Sequence, residues 1–238
     1  MPTALVTGAS AGLGLAITRA LVDEGWQVVV DARDGARLHA AVAPLGDGVR
    51  AVCGDVTDPE HRAELGREVA DLGGRLDLLV NNASTLGATP LRPLADLAVE
   101  DLQAIWTTNV AAPLALAQAL LGALQAADGV LLDVSSDAAV EHYETWGGYA
   151  ASKAALDHLT LTLAAENPWL RAYAVDPGDM RTAMHQAAFP GEDIGDRPLP
   201  EEVVPRLVAL VQVRLPSGRY RAADLPADRA GAHDRVTA

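Results

Sequence analysis

The sequence predicts a single-domain α/β fold, a doubly wound parallel sheet of about seven strands with helices on both faces. Short β-branched, apolar runs alternate with longer helical patterns over the first three quarters of the 238 residues, the mark of a sheet built from strand–helix–strand units. Most of these runs are apolar without strict alternation, as strands covered on both faces require. No linker, repeat or low-complexity segment divides the chain, so one domain is expected over residues 1–224. Residues 225–238 are polar and expected as a loose tail.

Strands are expected at 4–7, 27–30, 49–53, 76–81, 130–135, 171–175 and, more weakly marked, 218–222. A helix at 13–24 places Leu13, Ala16, Ile17, Ala20 and Leu21 on one stripe and stops at Gly25. Asp58 and Pro59 read as an N-cap followed by proline at N1, opening a helix to about residue 72. Long helices are expected at 100–126 and 148–166, and a last one near 201–213. Right-handed crossovers between these elements give the doubly wound order.

Half the residues are hydrophobic and 21% are charged, so the chain can bury a large core. With 32 acidic against 18 cationic side chains, the net charge is -14, which argues against nucleic acid because phosphate neutralisation needs clustered cations. The single cysteine, Cys53, excludes an internal disulfide and fits a reducing, cytoplasmic location. The N-terminus has no basic region ahead of its first strand, so no signal peptide is expected. The longest uncharged stretch, 102–127, is interrupted by Gln103, Asn109 and Pro113, among others, and reads as a buried or interface helix rather than a membrane span. The six histidines show no paired ligand spacing, so no metal site is expected. Of the 18 cations, 17 are Arg and one, Lys153, is Lys.

The first strand ends in Thr7-Gly8-Ala9-Ser10-Ala11-Gly12-Leu13-Gly14. A glycine-rich strand-to-helix turn lets backbone N–H groups approach a pyrophosphate, and the helix N-terminus adds about half a positive charge. Gly8 then makes the turn, Gly12 admits the phosphates and Gly14 lets the helix pack on the sheet. Further along, Tyr149 and Lys153 stand at i and i+4, so their Cβ atoms lie about 5–6 Å apart on one helical face. A free Tyr titrates near about 10, and an ammonium about 4 Å from the phenol contributes on the order of 4 kcal/mol at an effective dielectric of about 20, a ceiling of about 3 pKa units. With no other lysine in the chain, an accidental pair has no source. Arg could serve most surface roles, but its wide fork is no compact ammonium.

The TGxxxGxG spacing, Asp55 in Asp55-Val56-Thr57-Asp58, Asn81-Asn82-Ala83-Ser84, Asn109, Ser136, Tyr149-Ala150-Ala151-Ser152-Lys153, and Pro177-Gly178 with Thr182 follow in order. Over residues 3–182 the chain thus resembles the short-chain dehydrogenase/reductase family. The resemblance implies a Rossmann-type fold and an NAD(P)-dependent oxidoreductase that interconverts a small carbonyl substrate and its alcohol. Tyr149 would exchange the proton. Lys153 would lower its pKa and hold ribose, and Asn109 would organise a water near the lysine. Ser136, 13 residues before Tyr149, would hold the substrate oxygen, with Ser135 as the competing candidate.

The same resemblance places Ala32 where NAD-using members carry an acidic residue, and Arg33 follows it, which favours NADP(H). NAD(H) stays open, because Asp31 is adjacent and Ala11 stands where many NADP users are basic. Ser10 and Leu13 would join the phosphate turn. Asp55 and Val56 would face adenine, and Asn82, Ala83 and Ser84 the ribose, Ser84 replacing the usual Gly. Pro177, Gly178, Met180 and Thr182 would touch the nicotinamide amide and pyrophosphate. Residues 178–200 read as a substrate lid and 141–146 as the opposite wall. The helices at 102–127 and 149–165 resemble the pair that builds four-helix subunit interfaces, which implies a homodimer or homotetramer. A catalytically silent dinucleotide-binding regulator is the competing reading.

Overall fold

A computed structural model describes residues 1–227 of the chain. Its centre is one sheet of seven strands: β1 Thr3–Val6, β2 Gln27–Ala32, β3 Val49–Cys53, β4 Leu78–Asn81, β5 Val130–Val134, β6 Arg171–Asp176 and β7 Gly218–Arg221. Their order is β3-β2-β1-β4-β5-β6-β7, and every pairing is parallel. All seven expected strands are present. β4 begins two residues later than expected: the Leu76 N–H goes to Ala123 O, and the Asp77 N–H to Thr3 O of β1 leads into the ladder. β2 runs two residues longer than expected, since Asp31 and Ala32 pair with Val52 and Cys53.

The helices are α1 Gly12–Asp23, α2 Gly35–Val42, α3 Pro59–Asp71, α4 Val99–Trp106, α5 Ala112–Ala127, α6 Gly147–Glu166, α7 Ala183–Ala188 and α8 Pro200–Val213. Asp58 caps α3 as expected, its carboxylate accepting the Glu60 N–H at 2.9 Å. α2 is not foreshadowed by any long periodic pattern; its one local signal is Asp34, which accepts the Arg37 N–H at 3.0 Å. The single helix expected over 100–126 is instead α4 and α5 joined by a π turn, Thr107–Ala111. Pro113 lacks the N–H that Asn109 O would accept in a continuous α-helix, so the turn widens there.

Alternate strand residues enter opposite layers. Ala4, Val6, Val28 and Val30 pack with Leu13, Ile17 and Leu21 of α1 and with Val204 and Leu207 of α8. Leu5, Val29, Leu79 and Leu131 pack with Leu65 of α3 and with Leu116, Leu120 and Leu124 of α5. Both faces are apolar, which is why the strands show no period of two in the sequence. The run Val99–Ala127 is long and apolar enough to cross a membrane, and here its α5 stripe packs on the sheet. Leu225, expected at the start of a loose tail, is buried in the α8 layer and its carbonyl accepts Arg206 Nη1. The rest of the expected tail, from 228 on, lies outside the described residues.

Candidate active site

The sheet order reverses between β1 and β4, and the crevice above their C-terminal ends is where ligands collect in such sheets. Two glycines fit the turn after β1 into this crevice. Gly8 has φ +69°, and a Cβ there would come within 2.9 Å of Ala83 Cα. A Cβ on Gly14 would meet Asn82 Nδ2 at 2.5 Å and Gly8 O at 2.6 Å. Asn82 in turn donates to Thr7 O at 2.8 Å, which locks the loop after β4 onto the turn.

A cavity of about 810 Å3 runs along the crevice. Gly8, Ser10, Ala11, Gly12 and Leu13 form its floor at the phosphate turn, Ala32 and Arg33 lie past β2, and Asp55 and Val56 past β3. Asn82, Ala83 and Ser84 follow β4, and Ser136, Tyr149 and Lys153 close the other end. Pro177, Gly178, Met180 and Thr182 edge it from the segment after β6. Two expected residues, Gly14 and Asn109, are buried behind the wall and do not line it.

At the distal end Arg33 and Arg37 are both exposed on the cavity rim. Arg37, on α2, was not among the expected residues. Asp31, which kept NAD(H) open, is withdrawn: its carboxylate accepts Gly8 N at 2.8 Å and pairs with His61 Nε2 at 3.0 Å, with both side chains buried. Burial pushes the Asp55 carboxyl up, but the Thr57 N–H at 2.9 Å, the Thr57 hydroxyl at 2.8 Å and nearby Arg33 outweigh it and hold it below its ordinary range. The rim thus offers two guanidinium groups to an anion, with Asp31 withdrawn and the exposed Asp34 between them engaged through one oxygen as the α2 cap.

At the proximal end, the first turns of α6 present Tyr149 and Lys153, both buried. Lys153 Nζ donates to Val134 O at 2.7 Å and lies 5.6 Å from the Tyr149 ring centre. Burial lowers the Lys153 ammonium to about 8, against the opposing pull of Asp133 and Asp157. Burial also pushes the Tyr149 phenol up, while hydrogen bonds with Ser136 and Ser84 pull it down and Asp137 and Asp176 push it further up. This corrects the expectation of a phenol lowered by Lys153. Desolvation dominates at the phenol, and the ammonium is directed at the Val134 main-chain carbonyl.

Ser136 and not Ser135 adjoins the phenol; the Ser135 hydroxyl is buried near Asp157 and makes no hydrogen bond among the described residues. Ser136 Oγ donates to Asp137 at 3.0 Å and accepts the Ala138 N–H at 3.2 Å. Asn109 is buried and its side chain is fully hydrogen-bonded. Its Oδ1 accepts Thr85 N at 2.8 Å and Ser84 Oγ at 3.1 Å, and its Nδ2 donates to Thr85 O at 2.9 Å and Ser152 Oγ at 3.0 Å. Its side chain therefore fastens the loop after β4 to α6 and does not reach toward the lysine. Ser84, in place of the usual Gly, joins Asn109 to Tyr149 in this network.

Of the expected wall at 141–146, Tyr143 and Trp146 face the cavity, and Tyr143 donates to Asp137 at 2.8 Å. The expected lid contains α7, capped by Thr182 Oγ1, which accepts the His185 N–H at 3.1 Å. Phe189 follows α7, its ring 5.9 Å from that of Trp146, which lies 5.7 Å from Tyr149. Lid and wall thus meet beside the phenol.

The chain matches the short chain dehydrogenase family over residues 2–193. It is 33% identical over 184 residues to serine 3-dehydrogenase of Agrobacterium fabrum, covering 76% of this chain and 72% of that one. It is 36% identical over 192 residues to L-xylulose reductase of Bos taurus, covering 78% and 75%. A short-chain dehydrogenase of Shigella flexneri solved in complex with NADP superposes with a TM-score of 0.87 at 29% identity, over 93% of this chain and 97% of that one.

Proposed function

We propose that this chain, which belongs to the short-chain dehydrogenase family, is an NADP-dependent oxidoreductase that interconverts a ketone or aldehyde with the corresponding alcohol. One observation carries the reading: a single cavity joins a hydroxyl-bearing pair, Ser136 and Tyr149, above a buried lysine to a rim bearing Arg33 and Arg37. The glycine turn has the close backbone approach that a pyrophosphate needs. Withdrawal of Asp31 by Gly8 and His61 leaves the two arginines to favour a 2′-phosphate, and the similar Shigella protein was solved with NADP.

A nicotinamide cofactor held in the cavity would supply or accept the hydride. Ser136 donates a hydrogen bond to the substrate oxygen, and Tyr149 gives that oxygen its proton as the alcohol forms. Tyr149 is protonated near neutrality, as the donor in a reduction must be, and its hydrogen bonds with Ser136 and Ser84 oppose the rise that burial imposes on the phenol. Lys153 sets a positive charge beneath the phenol and would bond ribose hydroxyls when the cofactor binds. Asn109 holds Ser84, Thr85 and Ser152 around the pair. The uncharged outer faces of α5 (Gln118, Ala119, Gly122) and α6 (Ala151, Ala154, His158) support assembly into a homodimer or homotetramer.

The test is nicotinamide oxidation by the full chain across a broad panel of ketones and aldehydes. Turnover of panel members with a higher kcat/KM for NADPH than for NADH is expected. Tight NADPH binding without turnover of any member would refute the reading in favour of a dinucleotide-binding regulator.

A further inference from the structure

The C-terminal edge strand β7 bears none of the motif residues, yet it sends one side chain into the base of the site. Arg219 Nη2 donates to the main-chain O of Ser136 at 2.8 Å, and its Nε donates to Asp157 Oδ2 at 2.9 Å. The same Nη2 lies 3.8 Å from Asp176 Oδ2. The three side chains Arg219, Asp157 and Asp176 are 21%, 11% and 5% exposed, so the cluster is largely shielded from water.

The three partners, two hydrogen-bond acceptors and one ion-pair carboxylate, belong to the three segments that carry the working groups. Ser136 follows β5. Asp157 is one helical turn beyond Lys153 on α6, on the same face. Asp176 ends β6, and its Oδ1 accepts the Gly178 N–H at 2.9 Å, fixing the start of the segment that edges the cavity. A planar guanidinium can hydrogen-bond a carbonyl and a carboxylate in fixed directions while its charge faces a second carboxylate, which a lysine ammonium in its place could not do with the same geometry. Among the described residues Ser136 O otherwise accepts a local bond, from Ala139 N at 3.1 Å.

We propose that Arg219 is a positioning residue for the reaction: from β7 it fixes the Ser136 peptide against α6 and β6, and so sets the direction of the Ser136 hydroxyl toward Tyr149 and the substrate oxygen. It touches neither substrate nor cofactor and acts through Ser136. Displacements of about 1 Å at a reacting centre cost about 100-fold in rate, so the loss of this hold is felt in kcat.

The inference rests on the oxidoreductase reading for its kinetic arm alone, and its structural arm is independent of turnover. Hydrogen exchange followed by mass spectrometry is compared in the full-length wild type, Arg219→Met and Arg219→Lys. The segment 135–141 should lose protection in Arg219→Met, less so in Arg219→Lys, while β1 and β4 keep theirs. Unchanged exchange in that segment in both variants overturns the proposal. In the kinetic arm, run with the panel carbonyl that the wild type turns over fastest, Arg219→Met should lower kcat by about 10- to 100-fold. Its Kd for NADPH should stay within about threefold of wild type, below the loss from removing a charged hydrogen bond. Added to Ser136→Ala it should lower kcat by no more than about twofold further, because residues acting as one unit are not additive. Losses that multiply in the double variant mean a general structural role and overturn it. If Arg219→Met fails to fold, Arg219→Lys alone decides both arms by the same criteria. If the wild type turns over no carbonyl, the functional reading fails and the exchange arm still decides whether Arg219 holds Ser136.

Discussion

Replacing Asp133 by Asn tests the electrostatics beneath the lysine. Asp133 lies on β5 under α6, buried, where its carboxylate accepts Asn81 Nδ2 at 2.7 Å and Thr160 Oγ1 at 2.6 Å. Burial raises it from 3.8 to about 6, with the two hydrogen bonds and Lys153 opposing and Asp157 adding to the rise. A carboxyl raised in the folded state contributes stability below its unfolded pKa, and that contribution is lost as pH rises through about 4 to 6. Above that window the ionised group costs about 3 kcal/mol, a shift of about 2 units at about 1.4 kcal/mol each. Asn fits the same space. Its carbonyl can accept from Asn81, and its amide can donate to the Thr160 hydroxyl, which already donates to Leu156 O at 2.7 Å. Asp133→Asn should therefore be more stable than wild type at pH 7.5 by up to about 3 kcal/mol, or about 6–12 °C in Tm for a domain of this size. The gain should shrink toward zero by about pH 4. Thermal melts across that range measure it. A variant less stable than wild type at pH 7.5, by the same margin at every pH, would refute the reasoning. The gain should have a cost in function, because Asp133 also helps keep Lys153 charged.

Lys153→Arg keeps the charge but puts a wide fork where the ammonium is 2% exposed and 2.7 Å from Val134 O; kcat should fall by about 100-fold or more, and activity within fivefold of wild type would contradict the packing argument. With the ammonium lowered to about 8, kcat/KM of the wild type should fall as pH rises past about 8, and in Asp133→Asn that limb should move to lower pH, as a pH profile would read. Removing Arg33 and Arg37 together should raise the KM for NADPH by about 10- to 100-fold and leave NADH within a few-fold, since charged hydrogen bonds contribute about 1.5–3 kcal/mol; equal losses with both cofactors would refute the rim assignment.

The strands and the glycine turn were legible because they rest on local pattern, and so was the Tyr149 and Lys153 pair. α2 was not, because eight residues hold too little periodicity and only the Asp34 cap marks it. The break between α4 and α5 was written in Pro113, whose missing N–H ends the α register. Asp31 beside Ala32 was ambiguous by position but not by pleat: side chains alternate, so Asp31 shares the face of Val29 and meets His61 of α3. The phenol pKa was misjudged because a charge pair weighed without desolvation leaves out the larger effect. Arg219 and Arg37 could not be found by spacing, since the first acts across 83 residues and the second lies on a helix that the pattern did not reveal. The one lysine among 18 cations was the clearest signal, and its buried position shows what an arginine could not do there.

The central claim is that Tyr149 delivers the proton in carbonyl reduction. Single-turnover oxidation of bound NADPH by Tyr149→Phe, with the best panel carbonyl in excess, tests it most directly. The rate should fall by about 1,000-fold or more, within the range of general acid catalysis, with NADPH Kd within about threefold of wild type. A rate within a few-fold of wild type for every accepted carbonyl would contradict the assignment.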